Sequence, residues 1–124
     1  MIVGTVQPNG DAVISVRLKG PGAATMQLSV VVDTGFNDSL ALPPDIITSL
    51  ALPFREEGTY TLADGAVAVS RIFTGQIEWF GSWRRILVVE MGGGPLLGMS
   101  LLRGCHLGID VVENGRVEIT PIRA

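Results

Sequence analysis

Short turn signals cut this chain into pieces that suit strands better than helices. Asn9-Gly10, Gly20-Pro21-Gly22, Asp64-Gly65, Gly81-Ser82 and Asn114-Gly115 each contain a Gly or Asn that accepts positive φ, the backbone state that tight hairpin turns require. The runs between them alternate apolar and polar residues, as half-buried strands do. Ala12-Val13-Ile14-Ser15-Val16-Arg17-Leu18 is one such run. Met26-Gln27-Leu28-Ser29-Val30-Val31-Val32 alternates and then turns wholly apolar, which predicts a half-exposed strand that dives into a core. Val67, Val69, Arg71 to Trp79, Arg85 to Glu90 and Arg116-Val117-Glu118-Ile119 read the same way. Two places read as helical. Pro43 to Leu50 has prolines at its entry, Asp45 in its first turn and Pro53 beyond its end, and Met99 to Arg103 is one short turn closed by Gly104. The predicted class is all-β, mainly strands with one or two short helices.

With 124 residues there is room for one domain, spanning 1–124. Hydrophobic residues make up 47% and charged residues only 17%, against about 25% charged in average globular chains. So few charges imply that part of the apolar surface is covered by a partner. A net charge of −3 disfavours electrostatic capture of nucleic acid. The uncharged stretches Gly20 to Val32 and Met91 to Leu102 fall short of the roughly 18 apolar residues of a membrane helix, and Met1 to Gln7 lacks the pattern of a secretory signal. The single cysteine, Cys105, allows neither an internal disulfide nor a multi-cysteine zinc site. These features point to a reducing, cytoplasmic setting without a membrane partner.

Most catalytic constellations are missing. The lone histidine, His106, adjoins Cys105, and neighbours on a strand face opposite sides, so the two cannot act as a nucleophile and base there. One His, one Cys and scattered acids make no metal shell, and no cofactor is implied. Met91-Gly92-Gly93-Gly94 has no following Lys-Ser/Thr and reads as a connection rather than a phosphate loop. Arg84-Arg85 reads as part of a solvated strand face, and Trp79 and Trp83 as a cross-strand aromatic pair. What remains is carboxylate chemistry.

Asp33-Thr34-Gly35 follows the most apolar strand, Val30-Val31-Val32. A carboxylate there is expected to be partly buried where the strand leaves the core. The amides of Thr34 and Gly35 can hydrogen-bond locally, and Gly35 lets the chain turn tightly beneath the acid. A triplet this short arises by chance in roughly one chain in ten of this composition, so its surroundings decide. Among the other acids, Asp64 reads as a hairpin-turn residue, Asp45 as a helix-start acid and Asp110 as a strand-edge charge.

The block Val31-Val32-Asp33-Thr34-Gly35-Phe36, the hairpin at Ala63-Asp64-Gly65, and Pro95-Leu96-Leu97-Gly98-Met99-Ser100-Leu101-Leu102-Arg103-Gly104 together resemble the retropepsin-like aspartic proteases of clan AA. The likeness is greatest to a small prokaryotic branch in which Phe follows the Asp-Thr-Gly, and it covers about residues 3–120. It implies a closed barrel with one lobe per chain. In that family each half of the active site supplies one aspartate, and this chain carries the triplet once. The resemblance therefore implies a homodimer in which two Asp33 carboxylates share a proton and activate a water. It gives Thr34 a bond across the dimer, Gly35 a bond to the carboxylate, and Leu97-Gly98 a place beneath the loop, where Gly98 permits close approach of the two chains. Leu62 to Val67 becomes a flap over an extended peptide or unfolded segment, with Phe36, Ala63, Asp64 and Gly65 as substrate-binding residues. Phe36 cannot supply the hydrogen bond that a hydroxylated residue gives the outer carboxylate oxygen. The alternative is a catalytically inert peptide-binding or dimerisation module of the same fold.

Overall fold

A computed structural model of the chain describes residues 1–123. Strands β1 (Ile2–Val6), β2 (Ala12–Lys19), β3 (Thr25–Val32) and β4 (Leu40–Leu42) come first, followed by helix α1 (Pro44–Ser49). Then come β5 (Phe54–Thr61), β6 (Val67–Trp79), β7 (Ser82–Glu90), β8 (Leu96–Leu97), helix α2 (Met99–Leu102), β9 (Cys105–Ile109) and β10 (Arg116–Pro121). The molecule is mainly β with two short helices among the described residues, in line with the class read from the turns.

All strands join one sheet in the order β5-β6-β7-β4-β8-β3-β2-β1-β10-β9. A further pairing of β6 with β2, at Leu18 opposite Ile77 and Lys19 opposite Gln76, connects the two arms of that order. Pairing is antiparallel except between β3 and β8 and between β4 and β7. The periodicity of β2 is the simplest to trace to its cause. Ala12, Ile14, Val16 and Leu18 are buried while Ser15 and Arg17 are exposed, because successive side chains leave a strand on opposite faces. In β3, Thr25, Gln27 and Ser29 are exposed and Val30 and Val32 are buried, so this strand does pass from surface to core. Ile14, Leu40, Leu42, Ile77, Leu97, Leu101 and Ile119 form the centre of that core.

Both helices end where backbone chemistry stops them. The amides of Ile46 and Ile47 at the start of α1 bond to the Pro43 carbonyl, and Ala51 leaves the helix at φ 50. Gly104 follows α2 at φ 81, a state that glycine adopts without cost.

The expected Trp79–Trp83 pair does not form. Phe80 and Gly81, at φ 50 and 82, make a two-residue turn that sets Trp79 opposite Ser82 and Trp83 opposite Glu78. Alternation then sends the two rings to opposite faces. Trp79 enters the core edge-on to Phe80, with ring centroids 5.3 Å apart. Trp83 stays on the outer face, where Lys19 Nζ lies 4.3 Å from its ring centroid.

Candidate active site

The loop between β3 and β4, residues 33–39, straddles the end of β8. Leu97 stands in register with Val32 on one side and Leu40 on the other. Leu97 is fully buried, so the loop is anchored on a solvent-free part of the sheet. Backbone bonds clamp it from below. Asp33 N donates to the Leu97 carbonyl at 2.8 Å, Gly98 N to the Ser39 carbonyl at 3.0 Å, and Met99 N to the Phe36 carbonyl at 2.8 Å. A Cβ on Gly98 would meet the Phe36 ring and carbonyl at 2.6 Å, so only glycine fits beneath the loop. The expected packing of Leu97-Gly98 under the triplet is present, and the close approach that Gly98 permits is between two segments of one chain.

Asp33 is half-buried, at the point where the apolar strand ends. Its Oδ1 accepts the Gly35 amide at 2.8 Å, and its own carbonyl accepts the Phe36 amide at 3.1 Å. The triplet is thus a tight turn that grips its own carboxylate. A carboxylate held by a backbone amide on a clamped loop has one fixed direction, which a group that exchanges protons or positions water needs. Thr34 and Gly35 are exposed and Phe36 is half-buried.

The hairpin of β5 and β6 stands beside this loop. Leu62 N donates to the Ala66 carbonyl, Gly65 N to the Leu62 carbonyl, and Gly65 turns the chain at φ 87. Asp64 Oδ1 accepts the Ala66 amide at 2.9 Å, the role of a turn-forming aspartate. At its base, Arg71 binds Glu90 through two bonds, Nε to Oε1 at 3.0 Å and a second nitrogen to Oε2 at 2.7 Å. Ser70 Oγ donates to the Glu90 carbonyl at 3.0 Å. The Glu90 hydrogen bond and its charge, helped by the charge of Glu57, hold the Arg71 guanidinium above the ordinary arginine range.

Between loop and hairpin runs a groove of about 260 Å³. One wall is Gly35, Phe36, Asn37 and Asp38, the other Gly58 to Thr61, and Ser70, Ile72, Val89 and Met91 complete it. Of the residues singled out from the sequence, Gly35 and Phe36 reach this groove. Ala63, Asp64 and Gly65 lie at the hairpin turn, outside the lining residues. The hairpin's share of the wall comes instead from Gly58 to Thr61, a stretch whose polar, unalternating sequence carried no strand signal.

Elsewhere, Cys105 is half-buried and His106 exposed, paired across β10 with Pro121 and Thr120 respectively. No three His, Cys, Asp or Glu side chains gather into a metal-binding group among the described residues. No helix among them is long and apolar enough to cross a membrane. No protein-family model, curated protein or solved structure matches the chain.

Proposed function

We propose that this chain is one half of a homodimeric aspartic endopeptidase, a retropepsin-like closed barrel with one lobe per subunit. The observation that carries the reading is Asp33. A half-buried carboxylate ends the apolar strand, is gripped by the Gly35 amide, and sits on a loop clamped over Leu97 and Gly98 beside an open groove. That is much rigidity around one acid that no ion pair or core contact requires.

In the dimer two Asp33 carboxylates meet across the two-fold axis. Like charges so close cannot both persist, so the pair holds one proton between them. The ionised carboxylate takes a proton from a bridging water, which attacks the scissile carbonyl, while the protonated one polarises that carbonyl; the proton taken from the water then passes to the leaving amine as the C–N bond breaks. Thr34 bonds across the dimer to lock the two loops, and the Gly35 amide keeps each carboxylate aimed. The hairpin of β5 and β6 acts as a flap that pairs with the backbone of an extended peptide or unfolded segment. Phe36 lines the cleft, and Ala63, Asp64 and Gly65 close over the substrate. The chemistry calls for neither metal nor cofactor, and a single free cysteine suits a reducing, cytoplasmic compartment.

The test is cleavage of a peptide library by the purified chain from acid to neutral pH, beside Asp33→Asn. Cleavage that Asp33→Asn abolishes supports the reading. Cleavage that survives it, or none at any pH with peptide affinity retained, replaces the enzyme with another catalytic group or an inert peptide-binding module.

A further inference from the structure

We propose that the groove between the Asp33 loop and the hairpin is a pocket for a basic aliphatic side chain, lysine or arginine, with Asp38 as the specificity-determining residue. This inference rests on the peptidase reading for its biological meaning, and its test does not. At about 260 Å³ the space lies below the roughly 300–1,000 Å³ of pockets that enclose a whole small ligand, and it suits one long side chain.

The side of the groove formed by β6 and the end of β7 is mainly apolar. Ile72, Val89 and Met91 lie there, and the Ser70 hydroxyl that joins them is already spent on the Glu90 carbonyl at 3.0 Å. Gly58, opposite Ser70 on the facing strand, has no side chain, and a Cβ there would come within 2.7 Å of Ile72 Cδ1. The glycine lets Ile72 lie against the β5 backbone, so the Ile72 side chain forms this side of the groove.

Charge appears only at the rim. Asp38 is the one lining residue with a carboxylate, it is exposed, and no Lys or Arg lines the groove. The ion pairs among the described residues are Arg17–Glu78, Arg55–Glu56, Arg71–Glu90 and Arg116–Glu118, which leaves Asp38 without a cation. Its backbone is fixed, for its carbonyl accepts the Ser100 amide and covers Gly98. An apolar lining beside an unneutralised carboxylate on a held backbone complements an aliphatic stem that ends in a cation. A glutamate side chain would bring like charges together, and a methionine would leave Asp38 unanswered. Two subunits supply two such grooves related by symmetry, so a peptide with a basic residue on each side of the scissile bond fills both.

The experiment measures binding of short fluorescent peptides to Asp33→Asn, in which cleavage is blocked. Lys, Met or Glu is placed in turn at each position of one extended sequence. At one position on each side of the centre, Lys is expected to bind about fivefold tighter than Met and Glu to bind weakest. Added salt shrinks the Lys advantage, Asp38→Asn in the same background removes it, and Asp38→Glu retains it. Equal affinity for Lys and Met at every position, or a Lys advantage that survives Asp38→Asn, overturns the proposal. Cleavage of the same peptides by the unmodified chain separates the two readings. Cleavage without Lys preference leaves the peptidase standing and this inference overturned. Asp38-dependent Lys binding without cleavage does the reverse.

Discussion

Gly98 lies so close beneath Asp38 that a Cβ placed on it would stand 2.2 Å from the Asp38 carbonyl oxygen. That oxygen belongs to the backbone of a clamped loop and cannot swing aside as a side-chain tip would. Gly98→Ala is therefore expected to displace the loop and to destabilise the fold by about 2 kcal/mol or more. A thermal melt at fixed protein concentration measures the loss as a Tm lower by several degrees. An unchanged Tm would mean that the loop and β8 separate without cost.

Leu97 carries the loop from the other side. It is fully buried, and its register to both Val32 and Leu40 places it between two strands. Leu97→Ala leaves a cavity and is expected to cost about 3 kcal/mol in chemical denaturation. The Asp33 amide bonds to the carbonyl of residue 97, which the substitution keeps. The folded variant should accordingly hold residual activity, whereas Gly98→Ala should lose both stability and activity.

Substitution of Asp33 separates chemistry from folding. Asp33→Asn keeps an oxygen that can accept the Gly35 amide, so stability is expected to stay within about 0.5 kcal/mol. Asp33→Ala removes that acceptor and is expected to cost about 1 kcal/mol. Peptide hydrolysis, on the proposed mechanism, falls by at least about a hundredfold in both. Denaturant titration and peptide assay on the same preparations check this, and activity lost only in the less stable variant would trace the loss to folding.

The Arg71–Glu90 pair ties the hairpin base to β7 through two bonds. The arginine is held above its ordinary range, so its stabilisation is complete below the unfolded value. It is lost only as pH rises through the still higher folded value. No change from this group is expected across neutral pH. Arg71 is exposed, so Arg71→Met is expected to lower stability slightly, and added salt to erase the difference. Amide exchange over residues 54–79 would rise if the hairpin frays. A large, salt-independent loss would show that the guanidinium over Phe73, its Cζ 5.4 Å from the ring centroid, matters more than the ion pair with Glu90.

How far the sequence reveals this molecule depends on how strongly each element patterns its residues. β2 and β3 are legible because one face of each is buried, and the Asp33 turn is legible because its triplet ends that burial. β5 is exposed at nearly every position, so nothing in Phe54 to Thr61 has to alternate, and the groove wall it forms goes unseen. β4 and β8 are held by their neighbours and are too short to show any period. The Trp pair fails by a single residue. Phe80 takes positive φ, a rare state for an aromatic residue, so Phe80-Gly81 alone make the turn, one residue fewer than the turn over residues 80–82 that a Trp79–Trp83 pair needs. A one-residue shift sends every following side chain to the other face. Asp38 has no motif of its own and becomes visible only once β5 stands opposite it.

On the proposed reading, a two-fold interface covers part of the apolar surface that so low a charge leaves. The chain exposes 7272 Å², roughly 900 Å² more than the ~6,400 Å² typical of a 13.1 kDa monomer. A standard interface takes about 800 Å² from each partner. Met99, at the start of the helix beneath the Asp33 loop, is 46% exposed, and its apolar side chain suits a two-fold contact there. Sedimentation equilibrium is expected to show a dimer, but mixing subunits tests the shared site more directly. If each active site needs Asp33 from both chains, equal amounts of unmodified and Asp33→Asn chains exchange so that roughly half of the dimers are mixed and inactive. Activity then falls to about half of that given by the same amount of unmodified chain alone. An enzyme whose subunits work independently would lose nothing on mixing, and that result would sink the two-fold site whatever the sedimentation shows.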